Sequence, residues 1–290
     1  MHAASAVTSA EIPASVTAGT SVLPLTHAEA TRMAAEETRR FLDLIELLRE
    51  ADWDQPTACD RWTVKDIVAH QAAHVVSFTS LRAFFGQLKP SLLRAYLKQG
   101  MNLLDAWNQS QVDLRERAAP ADLIAEIRAA KDQSLAARAR IPGWVRGPVL
   151  PMPGVDQPRS LGYLFDLIYT RDMWMHRLDI CRATGREMVG DDEYDQRTVA
   201  LVVRDLALKA QLGLAGRSAI LDLTGPAGKV YQIGAVTNPS TRVQIDALTF
   251  CILTSGRTSA AEVLAADVVI SGDRAFGDEV IRYCENRVLY

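Results

Sequence analysis

No stretch of this 290-residue sequence approaches the roughly 20 consecutive apolar residues that span a bilayer, which argues against a membrane-crossing helix. Charge of neither sign prevails. Lys and Arg number 32 against 35 Asp and Glu, a net charge of -3, so the basic footprint expected for nucleic acid or an anionic membrane is missing. Cysteine is sparse: Cys59, Cys181, Cys251 and Cys284 form no CxxC and no zinc-finger spacing. They read as reduced thiols of a cytoplasmic protein, and none stands out as a nucleophile. The first 25 residues lack the positive start and compact apolar run of a signal peptide. Small, Ser/Thr/Ala-rich and nearly uncharged, residues 1–25 read as a disordered tail.

What is present is a run of amphipathic helices. Thr26 with Glu29 makes a capping box ahead of a stripe through Ala34, Phe41, Ile45 and Leu48. After a turn region at ADWDQPTACDRW, Thr63 with Asp66 starts a second helix. A third is expected over about 91–118 and a polar, Ala-rich one from Pro120 to about Arg140. Residues 141–160 hold five prolines and three glycines, so neither helix nor central strand should persist there. Such a loop reads either as a wall of a pocket or as a proline-stiffened surface crossing. From about Arg217 the period changes: SAILDL, GPAGK and VYQIGA suggest a hairpin, VQIDA and VVISGD strands, and LTFCILTSGR and FGDEVIRYCENRV helices. The expectation is an α+β chain, mostly α, with a helical bundle over 26–212 and a small α+β domain over 213–290.

Two helices carry histidine where apolar residues are expected. In the second, the inward row is Ile67, His70, His74, Phe78 and Leu81; in the helix 161–185 it is Phe165, Tyr169, Asp172, His176, Ile180 and Ala183. An acid and a histidine four residues apart can supply two ligands of one metal, or form a surface ion pair worth a few tenths of a kcal/mol. A third histidine on a facing row favours the metal, since sites between helices are built from inward-facing side chains. Each histidine alone would read as a satisfied core residue. For His74 that remains the default.

The stretches WTVKDIVAHQAAH, TRDMWMHRLDICRATGR, LTSGR and VVISGD resemble the mycothiol-dependent maleylpyruvate isomerase family over nearly everything after residue 26. The resemblance implies a DinB-like four-helix bundle, a sterol-carrier-like C-terminal domain, and a divalent metal, usually zinc, on His70, Asp172 and His176. The family's acid is typically glutamate, so Asp172 is one methylene short, and either the helices must approach more closely or the carboxylate must bind through water. Asp179 matches as the acceptor that orients an imidazole. Arg257, in the LTSGRTS turn, matches the family's arginine, implied to reach the active site and grip a carboxylate bidentately. Trp144 and Arg146 of the proline-rich loop are the candidates for thiol contact.

The expected activity is therefore that of a metal-dependent enzyme with mycothiol as cosubstrate, isomerising a small electrophile or transferring the thiol to it. That electrophile could bear a carboxylate; neither nucleic acid nor membrane is a partner, and the chain would work as monomer or homodimer. The alternative is a non-catalytic small-ligand-binding or regulatory protein with a vestigial metal site. Metal-assisted hydrolysis, with Asp179 or His74 as base, is a third reading.

Overall fold

The computed structural model describes residues 16–87, 89–151, 157–188, 193–235, 238–266 and 268–290. It divides into two compact units, one over 25–188 with residue 290, the other joining 16–24 to 193–289. The fold is α+β and mostly α, as expected.

The tail expectation needs correcting within the described residues. Strand β1 (Thr17–Ala18) pairs in parallel with Tyr231 and Gln232, and a helical turn follows at Gly19–Ser21. Arg204 Nε donates to the Val22 carbonyl and Arg197 Nη2 to that of Leu23, each at 3.0 Å, which fixes this segment in the C-terminal unit. Gly19 is required there, because a Cβ would stand 2.7 Å from that of Ala207. Residues 1–15 lie outside the described part.

The helical unit opens with α1 (His27–Glu46), capped by the Thr26–Glu29 box, and α2 (Val64–Ser77), capped by Thr63 and Asp66. Such caps are worth about 1 kcal/mol and set where each helix begins. The expected third helix is broken into α3 (Leu81–Gly86), α4 (Pro90–Lys98) and α5 (Leu103–Asp113), with Gly100 at φ +86° between the last two. Helix α6 (Pro120–Ala139) is followed by a short α7 (Gly143–Arg146) and the paired strands β2 (Val149–Leu150) and β3 (Arg159–Ser160). The proline-rich segment is thus more ordered than expected; residues 152–156 lie outside the described part. A π-helical segment, Tyr163–Ile168, runs directly into α8 (Tyr169–Ala183), which ends at Gly185 with φ +64°.

Helices α1, α2, α6 and α8 pack on one another as the four-helix core. Phe41, Ile45, Ile67, Val68, Ala72, Leu123, Ile127 and Ile180 are buried in its centre. Burying a side chain of this size contributes about 1.5–3 kcal/mol, so the bundle does not depend on any ligand for its main packing energy.

Helix α9 (Glu193–Gly213), expected in the bundle, belongs to the other unit, where it packs on strand β5 (Val230–Gly234). The remaining elements are β4 (Ser218–Thr224), β6 (Thr241–Asp246), α10 (Ala247–Thr254), α11 (Ala260–Ala265), β7 (Val269–Gly272) and α12 (Arg274–Cys284). The hairpin β4–β5 and the strand-then-helix steps at β6–α10 and β7–α12 follow the sequence expectation. The sheet order is β1-β5-β4-β6-β7, with β4 and β6 parallel. Alternation along β5 and β6 buries Tyr231, Ile233, Val243 and Ile245 on one face beneath the helices.

Candidate metal centre

Asp172 is the hub of the site. Its Oδ2 accepts a hydrogen bond from Gln71 Nε2 at 2.6 Å and lies 3.3 Å from His70 Nε2 and 3.4 Å from His74 Nδ1. Its other oxygen is 3.4 Å from His176 Nε2. Because α2 and α8 pack together, the shorter aspartate still reaches both imidazoles. The donor atoms of His70, Asp172 and His176 all lie within 4.8 Å of one another. A tetrahedral ion with bonds of about 2.0–2.1 Å has edges of about 3.3–3.4 Å, which the two His–Asp172 separations match, each to a different carboxylate oxygen.

A second observation supports that fit. Both ring nitrogens of His70, Nδ1 of His74 and Oε1 of Gln71 are buried without a hydrogen-bond partner. Each orphan of this kind costs about 1–3 kcal/mol unless a ligand satisfies it. His70 is fully buried, and burial, with His74 beside it, pushes its pKa down to about 3. It is therefore a neutral imidazole with its lone pair available at any physiological pH. Burial opposes charge on Asp172 and on His176 as well. Their mutual attraction outweighs it, holding the carboxyl well below and the imidazole well above their ordinary ranges.

Asp179 stands one turn beyond His176 on α8 and meets its ring. His176 Nδ1–H donates to its Oδ2 at 2.9 Å, which directs Nε2 toward Asp172. The sequence did not point to Cys59, whose thiol donates to the same oxygen at 3.7 Å. It also missed Gln71, though this residue sits on the row of Ile67, His74 and Phe78, and Trp62, whose ring lies 4.8 Å from His70 and 5.9 Å from His176. The Trp62 indole donates to Gln109 Oε1 at 2.9 Å, and Gln109 to Asp113, which anchors this cover to α5.

The other candidates stand elsewhere. Trp144 is 80% exposed, and Arg146 donates to Asp166 Oδ2 at 2.8 Å while His27 holds the other oxygen. Arg257 lies in the C-terminal unit, in the turn after α10, where its backbone N–H donates to the Ile252 carbonyl beside Gly256 at φ +76°.

Fold and site together define a helical-bundle protein with a buried two-histidine, one-carboxylate cradle and a small α+β second unit. A family model described as the mycothiol maleylpyruvate isomerase N-terminal domain matches residues 34–181, about half of the chain, and the chain belongs to that family. Two solved structures share the fold. The mycothiol-dependent maleylpyruvate isomerase is 16% identical with a TM-score of 0.52, and a histidine-to-alanine mutant under that same name is 14% identical with a TM-score of 0.54. Each match covers 86% of this chain and 93% of that one. A search of curated proteins found no match. No helix among the described residues is long and apolar enough to cross a membrane.

Proposed function

We propose that this chain is a metal-dependent enzyme that brings a low-molecular-weight thiol, mycothiol, to a small electrophile, isomerising the electrophile or transferring the thiol to it. The observation that carries the reading is the cluster of His70, Asp172 and His176, whose donor atoms lie within 4.8 Å of one another while neither ring nitrogen of His70 makes a hydrogen bond. These three residues would hold the ion, and the mix of imidazole and carboxylate suits zinc. When bound, such an ion supplies Lewis acidity, lowering the pKa of a thiol or polarising a carbonyl.

The chain's own residues do the rest. Asp179 keeps His176 in the tautomer that presents Nε2, Gln71 holds the Asp172 carboxylate in place, and Trp62 shields the His70 ring from water. Arg257 enters on the likeness of its LTSGRTS turn to the family motif. Its role in this reading is to grip a carboxylate of the electrophile with a planar fork that lysine lacks. From the proline-rich loop, the exposed Trp144 ring is available to the thiol, and Arg146 is tied to Asp166.

The test is metal analysis of purified protein alongside assays of electrophile turnover with and without mycothiol. The expected result is close to one divalent ion per chain and turnover that requires both ion and thiol. Protein that carries no metal and binds an apolar ligand without turnover would be the non-catalytic binder instead.

A further inference from the structure

His176 has two ring nitrogens, and the metal centre described above draws on Nε2 alone. On the side of Nδ1 stands a second group of donors: Cys59, His176 and Asp179 each bring one donor atom to within 4.8 Å of the others. We propose that these three residues form a second cation site, suited to a soft divalent ion, which shares His176 with the first. The site requires neither a thiol cosubstrate nor an electrophile.

The argument begins at one oxygen. Asp179 Oδ2 accepts from His176 Nδ1 at 2.9 Å and from the Cys59 thiol at 3.7 Å. A tetrahedral ion bonded at about 2.3 Å to sulfur and about 2.0–2.2 Å to oxygen holds those two donors about 3.6 Å apart, close to the separation of Cys59 and Asp179. The nitrogen–oxygen pair, a hydrogen bond as it stands, opens by about 0.4 Å to reach the matching edge. No cavity is needed for this. The ion takes the place of the two protons that Cys59 Sγ and His176 Nδ1 direct at Oδ2, and both protons leave to solvent.

Burial and the path of the chain agree with that geometry. Asp179 and His176 are buried, while Cys59 is half-buried in the turn region between α1 and α2, so an ion enters from the thiol's side. The turn holds the thiol in position: the Cys59 N–H donates to Thr57 Oγ1 at 3.2 Å, and its carbonyl accepts from the Trp62 N–H at 2.7 Å. Trp62 is the residue whose ring covers His70 and His176, so one turn both shields the first cluster and supplies the sulfur of the second. The two donor sets differ in kind. His70, Asp172 and His176 Nε2 offer nitrogen and oxygen only, whereas a thiolate is polarisable and favours softer ions. Two cations on one imidazole repel, so the second ion binds more weakly than the first.

Cadmium is the probe, titrated into zinc-loaded protein while thiolate-to-cadmium charge-transfer absorption and zinc content are followed. One equivalent should bind with that absorption, and zinc should stay in place. The other three thiols are buried, and burial pushes Cys181 up and Cys284 up to about 12, which keeps them from competing. Cys59→Ser and Cys59→Ala should each lose the absorption and the cadmium equivalent while keeping zinc. His70→Ala should lose zinc and keep the absorption, and His176→Ala should lose both. Absorption missing from the wild type, or undiminished in Cys59→Ser, would overturn the proposal. Zinc released in step with the gain of absorption would overturn it too, because the two clusters would then be alternatives for one ion. Protein that never takes up zinc yet shows the Cys59-dependent absorption would defeat the proposed function and leave this site standing.

Discussion

His176 and Arg177 are neighbours on α8, both buried and both paired with carboxylates, but the clusters they join are treated in opposite ways. Arg177 is answered in full: Nε and Nη2 donate to the two oxygens of Glu37 at 2.8 and 3.2 Å, a bidentate pair between α8 and α1. His176 belongs to a cluster in which four polar atoms of His70, His74 and Gln71 have no partner. Buried charge that serves the fold is satisfied within the fold, because an unpaired ion costs more than the pair contributes. Buried polarity left unanswered marks a place prepared for something else. One helix thus carries a polar contact satisfied within the fold beside a cluster that is not, and the difference lies in the accounting of hydrogen bonds rather than in burial.

That contrast can be broken most sharply by exchanging the damage. His176→Ala should abolish metal binding, a larger loss than the 10–100-fold typical of supporting residues, while folding survives. Glu37→Ala should do the reverse, lowering stability by about 3–5 kcal/mol in denaturant melts with metal content per folded chain unchanged. Metal retained by His176→Ala would erase the distinction. The next effect is on pH. His70 has a folded pKa of about 3, below its unfolded value near 6.5, so the unfolded chain binds the extra proton. Its contribution is present above pH 6.5 and is lost as pH falls toward 3. In metal-free protein this gives a slope of up to about 1.4 kcal/mol per pH unit between pH 6 and 4, and His70→Gln should flatten it. Asp179→Asn should weaken metal about 10- to 100-fold in competition titrations with little change in stability, since it disturbs the tautomer of His176 and not the core. The smallest effect is expected from Asp172→Glu, which should keep metal binding or strengthen it severalfold. Asp172→Ala is the control that must lose it.

The helix starts were legible because capping boxes are local: Thr26 with Glu29 and Thr63 with Asp66 occupy the predicted ends. The histidine rows were legible because helical period is also local. Cys59 and Trp62 were not, since they sit in an irregular turn whose path decides that they meet Asp179 and His70. Gln71 could have been found, as it lies on the inward row and glutamine there needs a partner. The affiliation of α9 escaped because an amphipathic pattern says that a face is buried and not what buries it. A two-residue strand such as β1 has no period at all, and it is the edge of β5 that makes it strand.

The π-helical segment Tyr163–Ile168 has a consequence for how this helix can change over evolutionary time. An α-helix advances about 100° per residue, so a residue gained or lost normally swings every later side chain to a new bearing. A wider turn absorbs one such residue locally. The segment that ties Asp166 to His27 and Arg146 can therefore drift in length while Asp172 and His176 hold their aim, as a slip joint lets one end of a shaft be reset without turning the other.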